Sequence, residues 1–147
     1  MHRMWMGSIY EWAGQYRQVI MSKGGFPFAS PAFIPSLMTE FEQDVLFKYT
    51  PCSFNLREDL LHALAVVHVE FLLIHPFREG NGRLARLLST LMALQAGLPL
   101  LDFSDIKGNI KENYFAAVRE DLDREYKSMM QVFSDVISRT LRNYERS

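Results

Sequence analysis

A chain of 147 residues with 48% hydrophobic residues, 11 Phe and 8 Met carries enough apolar side chains for one globular domain with a sizeable core, which excludes a disordered chain. A formal net charge of −1 argues against bulk nucleic-acid binding, which shows a basic face. No apolar run approaches the roughly 20 residues of a membrane span, so neither nucleic acid nor a membrane is an expected partner. The single cysteine, Cys52, cannot form an internal disulfide, and the N-terminus lacks a signal-peptide pattern. The expected compartment is the cytoplasm.

In chain order, Met1 to Trp12 is apolar-rich and reads as helix, broken near Gly7 or Gly14. It starts without a polar lead-in, so a preceding helix is expected to be missing. Gln15 to Ile20 alternates polar and apolar residues, and Ser22-Lys23-Gly24-Gly25-Phe26-Pro27-Phe28 places a Gly-Gly turn between extended stretches. That pattern predicts a β-hairpin or flap, closed by Pro31 and Pro35. Ser36 is the expected cap of a helix reaching Tyr49, with Leu37, Phe41, Val45 and Leu46 near helical spacing. Pro51 to Asn55 is a turn. Arg57 to Ile74 is apolar on nearly every side, the mark of a buried central helix, and it ends at His75-Pro76 because the residue before proline disfavours helix. Further helices are expected over Asn81 to Ala96, stopped by Gly97 and Pro99, over Ile110 to Asp121, and over Arg124 to Tyr144. The predicted fold is all-α with one small hairpin, in a single domain over 1–147.

Residues 75 to 86 read His-Pro-Phe-Arg-Glu-Gly-Asn-Gly-Arg-Leu-Ala-Arg. Gly80-Asn81-Gly82 opens a predicted helix, where unpaired backbone N–H groups and a partial positive charge make an anion site, and glycine lets a ligand approach the backbone closely. Arg83 and Arg86 follow in the first two turns. Cations there oppose the helix dipole unless a highly charged anion is bound, and a di- or triphosphate fits the arginine fork. Glu79 would add charge beside phosphates, which makes sense if it holds a Mg²⁺ shared with them. His75 can act as general base near neutral pH. Each signal has a plainer source: a structural histidine, a simple turn, a solvated arginine face. Their coincidence in one loop at one helix start favours a nucleotide-phosphate site with a base beside it.

These residues resemble the motif of the Fic family (filamentation induced by cAMP), His-Pro-Phe-x-(Asp/Glu)-Gly-Asn-Gly-Arg-x-x-Arg, at every specified position. Gly7 to Arg17 looks like that family's segment before its flap, and Ser22 to Phe28 looks like the flap. The resemblance implies a Fic-type helical bundle that transfers AMP from ATP to a Ser, Thr or Tyr hydroxyl of a target protein. It implies His75 as the base, Glu79 on Mg²⁺, and Gly80, Asn81 and Gly82 cradling the α- and β-phosphates. It also implies Arg83 on the phosphates, Arg86 on the γ-phosphate and Phe77 as an anchor. The flap residues Ser22, Lys23, Gly24, Gly25 and Phe26 would dock extended target backbone by strand addition. Tyr114 resembles a residue near the adenine, with a structural tyrosine the alternative, and Lys23 either touches phosphate or is solvated.

His68 is expected to be a core or supporting residue and His62 structural or solvent-facing; their spacing and the absence of His-Glu-x-x-His argue against zinc. Glu70, in an apolar helix, needs a partner or a wet edge. Many family members carry an inhibitory (Ser/Thr)-x-x-x-Glu-(Gly/Asn) helix. Here only Ser36 to Glu40 has that spacing, Phe41 follows, and it is not accepted as the inhibitor. A separate antitoxin-like partner, as in a toxin–antitoxin pair, or a segment upstream remains as its source. Delivery into a host as an effector is the alternative compartment. The alternative functions are another donor on the same fold (UMP or phosphocholine transfer, or phosphorylation) and a non-enzymatic nucleotide-binding module. Gly82 favours nucleotidyl transfer, since relatives that phosphorylate depart from Gly-Asn-Gly.

Overall fold

The computed structural model describes residues 1–106, 114, 116–118 and 126–147. The described residues are mostly helical, with one two-stranded antiparallel sheet, as the sequence predicts. Helix α1 is short, His2–Met6, and the chain continues in turns to Gly14. The helix breaks at Gly7, the first of the two expected places, and the residues from there to Trp12 form turns and not further helix. Strands β1 (Ser22–Lys23) and β2 (Phe26–Pro27) pair with Ser22 opposite Pro27 and Lys23 opposite Phe26. Gly24 and Gly25 join them with φ of 56° and 77°, the two positive dihedrals that a tight hairpin turn of matching twist requires.

Pro31 starts a 3₁₀ turn, Pro31–Phe33, and Pro35 stands in the first turn of helix α2, Ile34–Glu40. Ser36 is therefore inside the helix and not its cap; its hydroxyl donates back to the Phe33 carbonyl at 3.0 Å. Proline at the first turn costs no helical hydrogen bond, so the prolines begin the helix earlier than the serine would. The helix widens into a π-helical segment, Phe41–Leu46, and closes with one α turn, α3, Phe47–Tyr49.

Helix α4, Arg57–Ile74, is the centre of the bundle and has the predicted bounds. Leu64, Val67, His68, Val69 and Phe71 are fully or almost fully buried on it, against helices α5 (Asn81–Gln95) and α6 (Lys127–Arg146). Met92 of α5 and Met129, Phe133 and Val136 of α6 close the core. The predicted helix over 110–121 lies mainly outside the described residues. Tyr114, Ala116, Ala117 and Val118 within it are helical, and the predicted start of the last helix at Arg124 also lies outside the described residues. No helix among the described residues is long and apolar enough to cross a membrane.

Candidate active site

The site is built where α4 ends and α5 begins. His75 caps α4 in the left-handed conformation, φ 51°, with its N–H on the Phe71 carbonyl at 3.0 Å. Pro76 prevents another helical turn, so the chain leaves the core here. The loop that follows is closed by one side chain. Asn81 is buried; its Nδ2 donates to the Phe77 carbonyl at 2.7 Å, and the Phe77 N–H donates to its Oδ1 at 2.9 Å. The carboxamide of Asn81 thus serves the loop, and what it can offer an anion is its backbone N–H. Gly80, with φ 86°, is the N-cap of α5, and the first helical bond of that end runs from the Leu84 N–H to the Gly80 carbonyl. The N–H groups of Asn81, Gly82 and Arg83 have no helical acceptor and point out of the helix end. A Cβ on Gly80 would lie 2.9 Å from the Trp5 ring and 3.1 Å from the Met6 sulfur, so the glycine is needed for packing as well as for its φ.

Helix α1 supports this loop from below. The Gly14 N–H donates to His2 Nδ1 at 2.8 Å. His2 therefore carries its proton on Nε2, which donates to the Glu79 carbonyl at 3.0 Å. The His2 ring also stacks on Phe77, 3.9 Å between centroids. Glu79 points its carboxylate to solvent. Arg83 is exposed with its guanidinium over the Trp5 ring at 5.5 Å. Arg86 is half-buried and lies against Gly82, where an added Cβ would meet its terminal nitrogen at 3.3 Å.

The flap reaches the histidine through Phe28, just past β2, whose ring stacks flat on His75 at 3.8 Å. Burial drives the His75 pKa down to about 4, helped by the cations Arg17 and Lys23. The imidazole is neutral at physiological pH. Its Nδ1 is buried and faces the Leu72 carbonyl outside hydrogen-bond geometry. A proton held on that nitrogen leaves the Nε2 lone pair for a substrate.

Arg17 is the residue that sequence reasoning missed. It is 2% exposed and donates to the carbonyls of His75 (2.6 Å), Ile74 (3.2 Å), Val19 (2.7 Å) and Ala29. Its own N–H donates to the Pro76 carbonyl at 2.9 Å. One guanidinium ties the end of α4 to both flanks of the flap, and the carbonyl end of the α4 dipole offsets its buried charge. The only signal in the sequence is an arginine in an alternating stretch beside the flap.

His68 is buried and hydrogen-bonded to Ser89 and to the hydroxyl of Tyr114. Tyr114, expected from the resemblance beside the adenine, is 2% exposed and hydrogen-bonds His68 through its hydroxyl. Glu70 finds its partner in the Tyr126 hydroxyl and lines a cleft with Glu40, Asp44 and His62. The structure thus assembles His75, Lys23 and Phe28 of the flap region, separately Gly82 and Arg86, and separately again His68 and Tyr114.

Two histidines, the buried His68 and the half-buried His75, make stability depend on pH. Burial lowers His68 to about 3 and His75 to about 4, against 6.5 for free imidazole. Between pH 6.5 and 4 the unfolded chain therefore binds protons that the folded chain refuses, and stability falls as pH drops through that window. Denaturant unfolding at pH 7 and pH 5 is expected to differ by on the order of 2–4 kcal/mol. His68→Gln is expected to flatten the slope, and an unchanged slope in that variant would refute the assignment.

A helical bundle with a short flap beside a neutral, half-buried histidine, followed by a glycine-lined helix N-terminus with two arginines, has the groups that a phosphate site with an adjacent base requires. The chain belongs to the Fic/DOC family, whose model matches residues 1–93. It is 29% identical over 142 residues to the Escherichia coli (strain K12) protein named "Probable protein adenylyltransferase Fic", covering 93% of this chain and 66% of that protein. A Salmonella typhimurium protein of the same name is 31% identical over 103 residues, covering 67% of this chain and 49% of that one. The chain spans less than two thirds of the length of these relatives. Among solved structures, the N-terminal Fic domain of a VirB-translocated Bep effector protein from Bartonella quintana, with bound ADP, superposes with a TM-score of 0.76. It is 26% identical, covering 92% of this chain and 68% of that one.

Proposed function

We propose that this chain transfers AMP from ATP to a Ser, Thr or Tyr hydroxyl of a target protein. The observation that carries the proposal is a neutral, half-buried His75 clamped at the end of α4, in one short loop with an open helix N-terminus bearing Arg83 and Arg86. The names of the relatives and the ADP in the Bartonella quintana domain support it.

In this reaction the target hydroxyl oxygen attacks the α-phosphorus of ATP, and its proton passes to His75 Nε2. A bond forms from that oxygen to the α-phosphorus, the bond from the α-phosphorus to the bridging oxygen breaks, and pyrophosphate leaves. The N–H groups of Asn81, Gly82 and Arg83 hold phosphate oxygens, and Arg83 and Arg86 take the charge that moves onto the leaving phosphates. The exposed Glu79, next to the N-cap, would hold a Mg²⁺ through its carboxylate. Such an ion would supply charge neutralisation. The edge of the Ser22–Phe26 hairpin pairs with target backbone, which orders the acceptor hydroxyl with little demand on its side-chain type. A separate inhibitory protein and delivery as an effector stay as proposals of regulation and place.

Incubation with Mg-ATP and lysate, followed by intact-protein mass spectrometry, is expected to reveal one AMP residue added to a target or to the chain itself. Binding of ATP with no transfer in any lysate would instead favour a nucleotide-binding module.

A further inference from the structure

A histidine that serves as a base has to aim one ring nitrogen, and the aim is ordinarily fixed by a hydrogen bond on the other. His75 lacks that bond: its buried Nδ1 has no hydrogen-bond partner among the described residues. The torsion between Cβ and the ring sets no sharp aim of its own, because wells of that kind are broad and roughly two-fold. The His75 backbone is held on both sides, its carbonyl by Arg17 at 2.6 Å and its N–H on the Phe71 carbonyl at 3.0 Å, so the ring is the part left to be fixed. Against the ring lies Phe28, with the two planes 4° apart and the centroids at 3.8 Å. A turn of the imidazole about its own torsion would drive a ring edge into that face. Phe28 can resist because its own place is fixed. Its N–H donates to the Met21 carbonyl at 3.0 Å, and the next N–H, of Ala29, donates to the Leu73 carbonyl at 3.3 Å on the last turn of α4. The Ala29 carbonyl accepts from Arg17, and Phe26 of β2 braces the Phe28 ring edge-on at 5.9 Å.

We propose that Phe28 is a positioning residue for the transfer reaction: its stacked face, in place of a hydrogen bond, holds the His75 imidazole in the plane that aims Nε2 at the acceptor hydroxyl. A carboxylate on Nδ1 would also orient the ring, but it would favour the protonated imidazole, which cannot take a proton. A phenyl face fixes the plane and leaves the ring neutral. It also keeps water from one side of the ring. Burial is the largest cause of the lowered His75 pKa, and the charged groups that face the ring, Arg17 and Lys23, are both cations and act in the same direction. Removing the face therefore both frees the ring and moves its pKa back toward 6.5. The aim of the base is thereby tied to the flap on which the acceptor would dock.

This inference rests on His75 being the base. The test follows incorporation of labelled AMP from Mg-ATP into lysate proteins and into the chain itself, from pH 5.5 to 7.5. It compares wild type, Phe28→Leu, Phe28→Tyr and His75→Asn, with a melting curve for each. Phe28→Leu keeps apolar bulk and loses the flat face. It is expected to lower kcat about tenfold to hundredfold at an unchanged KM for ATP, and its rate should fall further behind wild type as pH drops, because its base now titrates. Phe28→Tyr keeps the face and should recover most of the rate. A purely structural Phe28 would lower the melting temperature of Phe28→Leu and leave the rate per folded molecule, and its pH dependence, as in wild type; that result overturns the proposal. So does a Phe28→Tyr protein as slow as Phe28→Leu. Wild-type transfer by His75→Asn removes the base itself, and no transfer by wild type removes the reaction; in either case Phe28 has nothing to aim. If Phe28→Leu does not fold, the imidazole proton signals of wild type decide, with the His75 signal identified by its loss in His75→Asn. A His75 signal displaced upfield by the stacked ring and constant from pH 5.5 to 7.5 supports the proposal. A signal that titrates near 6.5 without that displacement overturns it.

Discussion

Alanine in place of His75 is expected to lower AMP transfer by about a hundredfold to ten-thousandfold while ATP still binds, the usual worth of a positioned general base. The phosphate contacts of the proposed reaction come from α5 and its N-cap, Gly80–Gln95, which this substitution does not touch. The histidine does have a structural share, since its ring stacks on Phe28 and its backbone is left-handed. Asparagine tolerates that conformation better than alanine, so His75→Asn separates the lost base from the lost conformation. Both variants should be equally inactive. Initial rates of AMP incorporation at saturating ATP are the readout. A rate within a few-fold of wild type in either variant would remove His75 from the chemistry.

Arg17→Ala is expected to be the most destabilising single substitution in the site, at about 3–5 kcal/mol. Four carbonyls lose a charged donor at once, and each buried acceptor left unpaired costs about 1–3 kcal/mol unless water reaches it. In a chain of this size that corresponds to a drop in melting temperature of roughly 10 °C. Arg17→Lys should recover little, because one ammonium cannot span acceptors on both sides of the flap and at the end of α4. Activity should fall with stability, since the same guanidinium holds the His75 carbonyl and the flap flanks Val19 and Ala29. Calorimetric melting of the three proteins at pH 7 checks this, and a lysine variant that melts with wild type would show that the fork geometry is unimportant.

The central helix was legible because its signals are local: a continuous apolar run, a proline after it and a glycine-opened helix next. Its bounds, Arg57–Ile74, follow from those alone. The hairpin was legible for the same reason, since a Gly-Gly pair between extended stretches supplies both positive dihedrals. The start of α2 was misplaced because two local rules competed, a serine cap at Ser36 and prolines at Pro31 and Pro35, and the prolines won. The break of the first helix at Gly7 was legible, but the turns that follow to Trp12 were not, because their apolar residues suggested more helix.

What the sequence by itself determined is the local arrangement of residues 75 to 86: a histidine at a helix end, a glycine-lined helix start and two arginines, whose spacing along the backbone is local. What only the tertiary structure decided is how those groups are held. Arg17, His2 and Phe28 act on the motif from positions remote in the chain. Their contacts depend on how the flap and α1 come together around the end of α4. A hydrogen bond to a carbonyl leaves no trace in the identity of the residue that owns the carbonyl. An arginine buried against four of them therefore looks, in sequence, like any arginine on a surface.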